Sequence, residues 1–170
     1  MAAGKTKRPG VEPKTLAGRE LVITRVFDSP REMVWDAWTD PEQIVKWWGP
    51  RGFTLTVDEM DVRAGGVWKS TMYGPDGTEY LNDCVFTEVV KPQRIGYKLT
   101  AGSKRDGGVQ EPMDVSWTFE AQGGETKVTL RMLFETPAAL ERFVREYKAV
   151  EGGNETLDRL QGHLANEGRR

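Results

Sequence analysis

Two segments within residues 113–134 carry apolar side chains at every second position. The apolar positions are Met113, Val115, Trp117, Phe119, Val128, Leu130, Met132 and Phe134, and the residues between them are mainly polar. Because successive side chains of a β-strand point to opposite faces, each segment predicts a strand with one buried face and one solvated face. A sheet built from such strands needs an apolar cover on one side only.

A helix near the C-terminus is the predicted cover. The pair Thr136-Pro137 is typical of an N-cap followed by the first helical residue. Apolar residues then recur at helical spacing from Leu140 to Leu164, enough for a helix of up to about 35 Å at about 1.5 Å per residue. The pair Gly152-Gly153 predicts a kink or a break in this helix, because each glycine costs about 1 kcal/mol relative to alanine.

Two short helices are predicted after a first strand at 21–27. For the first helix we expect Ser29 as the N-cap, with the following proline at the first helical position and Glu32 completing a capping box. For the second helix we expect Asp40 as the N-cap and a helical segment that continues to Trp48. The two helices therefore precede most of the sheet.

The remaining strands follow in order along the chain. They are predicted at 53–62, 67–73, 78–90 and 94–100, with a polar, glycine-rich loop at 101–111. The predicted fold is α+β, an antiparallel sheet of about six to seven strands covered by the long C-terminal helix. Residues 19–166 are expected to form this single domain, and residues 1–18 a flexible N-terminal tail.

Composition narrows the classes of function. The chain of 170 residues has a formal net charge of −2, whereas nucleic-acid binders usually carry a basic face, so no nucleic-acid partner is expected. One cysteine, Cys84, allows no intramolecular disulfide and fits a reducing compartment. No run approaches the ~20 apolar residues of a membrane helix. These features predict a soluble, cytoplasmic protein without a membrane span.

Few side chains offer catalytic or metal chemistry, and no catalytic residue, cofactor or metal site is predicted. His163 is the only histidine, and no histidine and cysteine cluster has metal-ligand spacing. Cys84 is expected to be a small buried hydrophobe. Asp83 or Glu59 would be a general acid or base only if it faced a cavity. Arg25 is expected to pair with a carboxylate or to meet the anionic end of a ligand.

Four of the six tryptophans lie within residues 35–48. Helical spacing favours Trp35 and Trp38 as core residues. Trp48 stands beside Gly49 and Pro50, which favours a place at the mouth of a pocket or on the surface.

The chain resembles the START-like (SRPBCC) superfamily with its helix-grip fold. Within that superfamily it is similar to the group related to the activator of the ninety-kilodalton heat-shock chaperone's ATPase. The resemblance is carried by 25–30 (RVFDSP), 34–41 (VWDAWTDP), 47–50 (WWGP), 65–66 (GG), 75–77 (PDG) and 156–160 (TLDRL). It implies a curved sheet wrapped around the long C-terminal helix.

The resemblance implies that a small hydrophobic or amphipathic molecule binds between the sheet and the C-terminal helix. Two alternatives stay open: a regulator of a heat-shock chaperone's ATPase, and a polyketide cyclase-like or hydrolase-like enzyme that uses a cavity carboxylate or tyrosine. The expected partners are thus a small apolar molecule or a chaperone, with the chain a monomer or a homodimer. The candidate ligand-binding residues are Trp48, Phe53, Met72, Tyr80, Trp117, Phe119, Phe143, Tyr147, Gly153 and Leu157.

One position departs from the family's pattern. Family members commonly carry a Gly-Trp pair ahead of the Leu-Asp-Arg-Leu motif, and Gly153 stands here in place of that tryptophan. Losing an indole from an inward helix face removes a side chain that buries roughly 150–250 Å². Gly153 is therefore expected either to enlarge the pocket or to let the helix bend, the alternative being that Trp117 or Phe119 fills the space.

Overall fold

The computed structural model describes residues 10–11, 18–101 and 112–167. The predicted loop at 101–111, except Ala101 at the end of β6, and the predicted tail at 1–18, except Gly10, Val11 and Gly18, lie outside these ranges. The elements in chain order are β1 (Gly10–Val11), β2 (Glu20–Phe27), α1 (Arg31–Thr39), α2 (Pro41–Ile44), β3 (Thr54–Met60), β4 (Val67–Tyr73), β5 (Glu79–Val90), β6 (Arg94–Ala101), β7 (Met113–Gln122), β8 (Glu125–Phe134), α3 (Pro137–Tyr147) and α4 (Ala149–Glu167).

The strands form one antiparallel sheet in the order β1-β2-β8-β7-β6-β5-β4-β3. The chain's first long strand, β2, pairs with β8, so that Ile23 lies opposite Leu130. Register shifts interrupt the pairing of β3 with β4 and of β5 with β6. Such bulges bend strands and curve a sheet. The predicted α+β fold is confirmed: β2–β8 are the seven expected strands, and the two-residue β1 extends the sheet by one short pairing.

The inner face of the sheet is apolar, as the alternation predicted. Val115 and Trp117 of β7 are buried, whereas Asp114, between Met113 and Val115, is exposed. The side chains of Met113, Val115, Trp117 and Phe119 thus share the inner face of the sheet. Among the described residues, no helix is long and apolar enough to cross a membrane.

Trp38 of α1 is the centre of an aromatic cluster on this inner face. The side chain is fully buried. Its ring centroid lies 5.2 Å to 6.2 Å from those of five other rings, Trp48, Trp68, Phe86, Tyr97 and Trp117. Most of these pairs are edge-to-face, the arrangement that the quadrupoles of aromatic rings favour. The prediction that Trp38 is a core residue is confirmed, as it is for the buried Trp35.

The start of α1 differs from the prediction. Its N-cap is Pro30, without a side-chain capping bond, so the expected capping role of Ser29 is wrong. The Ser29 carbonyl instead accepts a hydrogen bond of 2.7 Å from the buried Thr126 hydroxyl of β8. A long-range bond to the sheet thus fixes the segment before α1, and the helix begins one residue later than a local capping box would place it.

The second helix begins as predicted but ends early. The Asp40 carboxylate accepts a hydrogen bond of 3.0 Å from the Glu42 N–H, which confirms its capping role. The helix ends at Ile44 and not at Trp48. The Trp47 indole N–H donates to the Ala37 carbonyl at 3.0 Å. The main chain continues from Ile44 as a turn, in which the Trp48 N–H donates to the Ile44 carbonyl at 3.0 Å.

The C-terminal helix is interrupted, but not at the glycines. Thr136 caps α3 as predicted, accepting from the Ala139 N–H at 3.1 Å. Lys148, with φ 50° and ψ 52°, is left-handed and separates α3 from α4. Gly152-Gly153 lies inside α4, so the predicted break there is wrong. A Cβ on Gly153 would lie 2.6 Å from Cδ1 of Ile23, so this glycine lets α4 approach β2 closely.

Arg159 of α4 holds the segment that follows α2. Its Nη1 lies 3.0 Å to 3.3 Å from the carbonyl oxygens of Trp48, Gly49, Pro50 and Phe53, which share the two N–H groups of this nitrogen. Its Nη2 adds a bond of 3.4 Å to the Lys46 carbonyl. One guanidinium thus satisfies carbonyls of a segment that has no regular secondary structure. We call residues 46–53 the front segment.

Asp158 of α4 forms ion pairs with two arginines that differ in exposure. Asp158 lies 2.7 Å from Arg51 of the front segment and 2.6 Å from Arg25 of β2. The Arg51 side chain is 59% exposed, whereas that of Arg25 is 10% exposed. The prediction that Arg25 pairs with a carboxylate is confirmed.

Replacement of Arg159 should destabilise the fold more than replacement of Arg51. We expect Arg159→Leu to lower the free energy of unfolding by about 2 kcal/mol, because carbonyls lose a charged donor. Arg51→Leu, the matched control, removes an exposed ion pair and should cost less than about 1 kcal/mol. Urea denaturation followed by tryptophan fluorescence measures both, and equal losses for the two variants would contradict the role given to Arg159.

Candidate functional site

A cavity of about 520 Å³ lies on the inner face of the sheet. Its walls come from strands β4 to β8, from the front segment, and from the junction between α3 and α4. The sheet contributes mainly apolar side chains, among them Leu99, Met113, Val115, Leu130 and Met132. The cavity therefore combines an apolar interior with a wall of helix and loop.

The position of the cavity follows from how the concave face is covered. The C-terminal half of α4 buries Leu157, Leu160 and Leu164. His163 of the same half hydrogen-bonds to Gln43 of α2 at 2.9 Å. The aromatic cluster around Trp38 covers a second part of the face. The cavity is the remaining part, which α3 and the beginning of α4 border without filling it.

Eight of the ten predicted ligand-binding residues line the cavity. They are Trp48, Phe53, Met72, Tyr80, Trp117, Phe143, Tyr147 and Gly153. The other two, Phe119 and Leu157, do not. The Phe119 ring packs edge-on against Trp35 at 5.8 Å, and Leu157 is fully buried within the packed part of α4. Whether the eight lining residues contact a ligand stays a prediction.

Gly153 lines the cavity, and its position bears on the two effects predicted for it. The helix α4 runs through this residue without a break, and a bend of α4 at Gly153 stays a prediction. Trp117 also lines the cavity and leaves it open. The enlargement of the pocket by loss of an indole stays a prediction.

Several lining residues escaped the sequence reasoning, notably Asn82 and Tyr97. A signal for Tyr97 was available, because it stands between Ile95 and Leu99 in the period-two pattern of β6. Asn82 is a polar residue in a strand, which favours an outward position. Its place on the inner face is visible only from the burial of its neighbours at every second position along β5.

Charged lining residues are confined to one side of the cavity. Among the described residues they are Arg51, Glu146, Lys148, Glu151 and Glu155, all from the front segment or the junction of α3 and α4. Four of them are exposed to solvent. This side is therefore the mouth of the cavity, and the interior wall formed by the sheet is uncharged.

Tyr97 is an uncharged polar group of the interior wall. Burial raises the pKa of Tyr97 well above its usual value, the neighbouring Cys84 adds to the rise, and the Trp117 side chain opposes it. The approach of Trp117 falls outside the geometry of a true hydrogen bond, so its indole N–H has no partner among the described residues. The phenol therefore keeps its proton at neutral pH.

Cys84 lies below the cavity surface and is almost fully buried, which confirms it as a small buried hydrophobe. Burial raises the pKa of its thiol, and the charge of Asp83 raises it further. A thiol in such an environment is a poor nucleophile, because the reactive thiolate is not populated.

The two acids considered for catalysis do not line the cavity. Glu59 is exposed on β3, the edge strand of the sheet. Asp83 falls on the opposite face of β5 from its buried neighbours Asn82 and Cys84. The described residues also contain no group of three or more histidine, cysteine or acidic side chains placed to hold a metal ion.

Comparison with known proteins identifies a family whose model covers most of the chain. The model of the family described as Activator of Hsp90 ATPase homolog 1-like protein matches residues 28–165. No curated protein matches the chain.

Solved structures share the fold at low sequence identity. The protein Ms6760 from Mycobacterium smegmatis is 26% identical, with 90% of this chain and 94% of that chain covered and a TM-score of 0.78. A protein from Arthrobacter aurescens is 23% identical, with 92% and 91% covered and a TM-score of 0.83. An AHSA1 protein from Silicibacter pomeroyi is 23% identical, with 87% and 99% covered and a TM-score of 0.72.

These matches confirm the resemblance inferred from the sequence motifs, and they extend over nearly the whole of the described domain. With its family model covering residues 28–165, the chain belongs to the Activator of Hsp90 ATPase homolog 1-like family.

Proposed function

We propose that this protein binds a small, largely apolar molecule in the cavity between the sheet and the C-terminal helices. The observation that carries the proposal is the cavity of about 520 Å³ with its apolar interior. This volume lies within the roughly 300–1,000 Å³ typical of small-molecule sites.

The physical case rests on close packing. Protein interiors are packed about as densely as organic crystals, so that voids much larger than a water molecule are few. The atoms around a void lack contact partners on one side. An apolar molecule that fills the space restores these contacts and removes its own surface from water, which is worth about 25 cal/mol per Å² of apolar area.

The distribution of charge favours one orientation of the ligand. The interior wall includes Leu99, Val115 and Leu130, whereas the charged groups stand at the mouth. Burying an ionised group without a partner is costly. The apolar part of an amphipathic ligand therefore enters first, and any ionic group stays at the mouth beside side chains such as Arg51 and Lys148.

One side of the mouth is held in place before a ligand arrives. Arg159 fixes the front segment through its carbonyls, and the main-chain N–H of Arg51 donates to Glu155 of α4 at 3.1 Å. A wall that is already ordered loses little conformational entropy when it binds. This arrangement supports a binding role.

Filling the cavity should abolish binding of an apolar probe. We expect N-phenyl-1-naphthylamine, a neutral fluorescent probe, to bind the wild type, and Val115→Trp to raise its Kd at least about tenfold by occupying the space. Asp114→Trp is the matched control, because Asp114 is the adjacent residue of β7 on the exposed face. Its Kd should stay within about twofold of the wild type.

Fluorescence titration measures these affinities, and thermal unfolding shows whether each variant is folded. Absence of probe binding by the wild type, or equal Kd values for folded Val115→Trp and Asp114→Trp, would contradict the proposal.

Binding of the neutral probe should not depend on pH between about 6 and about 9. Tyr97, whose pKa is raised, stays protonated over that range, whereas an ordinary tyrosine begins to ionise near its usual value of about 10. Titration of the probe at several pH values tests this, and a loss of affinity with a midpoint inside the range would show that an interior group ionises.

A second candidate function, regulation of a chaperone ATPase, is favoured by the family description alone. It requires that the protein change the ATPase rate of a purified Hsp90-type chaperone. If cavity binding is the function, the ATPase rate should be unchanged on addition of the protein, with or without bound probe. A rate change that survives Val115→Trp would instead support the regulator.

The cyclase-like or hydrolase-like alternative has less support. The carboxylates that line the cavity, Glu146, Glu151 and Glu155, stand at its mouth. Tyr97 in the interior holds its proton and can donate a hydrogen bond, but it does not act as a base at neutral pH.

A further inference from the structure

Asn82 is a buried polar side chain in the cavity wall. It lies on β5 and is 9% exposed. Cys84 and Phe86, at the next alternate positions of the strand, are buried, so Asn82 shares the inner face with them. It is one of the lining residues on the sheet side of the cavity.

Ser70 of β4 fixes which way the Asn82 carboxamide points. The Ser70 hydroxyl donates to the Asn82 main-chain carbonyl at 3.3 Å. Because a hydroxyl has a single proton, its oxygen can then only accept from the Asn82 side chain. The Asn82 Nδ2 donates to Ser70 Oγ at 3.1 Å, which is the arrangement that this constraint requires. The carboxamide oxygen is left on the other side.

The Asn82 Oδ1 has no donor among the described residues. Among the described residues, the Asn82 side chain hydrogen-bonds only to Ser70. Its Oδ1 is not one of the fully inaccessible polar atoms that lack a partner, so it retains some accessible surface. It belongs to a cavity-lining residue, and it is therefore open to the cavity. A buried carbonyl oxygen normally accepts at least one hydrogen bond. A ligand that offers a donor at this point gains an interaction that a hydrocarbon cannot make.

The surroundings of Asn82 select an uncharged donor. The interior wall near it includes Leu81, Tyr97 and Leu99, and the charged lining groups stand at the mouth. An ammonium or a carboxylate placed beside Asn82 would lose its hydration without gaining an opposite charge. A hydroxyl or a neutral N–H makes the bond without that cost.

We propose that the ligand is a neutral, largely apolar molecule that carries a hydroxyl or an uncharged N–H and donates it to Oδ1 of Asn82. This inference rests on the proposed binding function of the cavity. It narrows the ligand class from any apolar molecule to one with a donor in its apolar body.

Three probes of nearly equal shape test the inference in the wild-type protein. They are 2-naphthol, 2-methylnaphthalene and 2-naphthoate, which place a hydroxyl, a methyl group and an ionised carboxylate on the same ring. We expect 2-naphthol to bind about tenfold more tightly than 2-methylnaphthalene, because only naphthol satisfies Oδ1. We expect 2-naphthoate to bind at least about tenfold more weakly than naphthol. Equilibrium dialysis or calorimetry measures the three affinities.

Two variants separate the acceptor from the fold around it. Asn82→Leu removes the acceptor but keeps the number and branching of the side-chain heavy atoms, and the preference for naphthol over methylnaphthalene should fall to about onefold. Ser70→Ala keeps the carboxamide but removes the hydroxyl that orients it. The preference for naphthol should therefore fall to a value between that of the wild type and that of Asn82→Leu. If Asn82→Leu does not fold, the wild-type comparison and Ser70→Ala decide the matter.

The outcomes distinguish this inference from the function on which it rests. Equal affinity of the wild type for naphthol and methylnaphthalene overturns the inference and leaves the binding function in place. Naphthoate binding as tightly as naphthol does the same, as does a preference that persists in folded Asn82→Leu. If none of the three probes and no N-phenyl-1-naphthylamine binds, the binding function itself fails and the inference fails with it.

Discussion

The packing of Trp38 into the concave face of the sheet is the interaction on which the architecture depends. A curved sheet of seven long strands presents more apolar surface than one helix can cover. Trp38 reaches from α1 to five other rings and, with them, covers the part that the C-terminal half of α4 leaves open. What neither covers becomes the cavity. The packed core and the cavity are thus two results of how the same surface is divided.

The predictions that succeeded rest on local signals. The strand alternation and the helix caps each depend on a few neighbouring residues. The structure contains the alternation around Val115 and Trp117 and the predicted caps at Asp40 and Thr136. The predictions that failed were overruled by distant partners. The carbonyl of Ser29 accepts from Thr126, a residue almost a hundred positions away, and Trp47, beyond the end of α2, bonds through its indole N–H to the Ala37 carbonyl of α1.

The site was predictable in outline but not in its polar detail. Large aromatic residues such as Trp48 and Tyr147 were predicted to line a pocket, and they do line the cavity. Asn82 gave no such signal. Its orientation depends on a hydrogen bond to Ser70 of the adjacent strand, and its access to the cavity depends on the packing of distant elements. Members of the fold at 20% to 26% identity share the frame. Because fold does not imply function, this shared frame does not by itself define what the cavity does.

The left-handed Lys148 has a mechanical consequence. A residue of that hand cannot continue a right-handed ladder of main-chain bonds, and the ladder of α4 starts anew with the bond from the Gly152 N–H to the Lys148 carbonyl. The helices α3 and α4 are therefore not joined by a continuous series of main-chain hydrogen bonds. A tilt of α3 would break side-chain contacts, such as that of the Phe143 ring with Phe134, but no main-chain hydrogen bond of α4. The part of the cavity wall that α3 forms can therefore move without loss of the main-chain hydrogen bonds of α4.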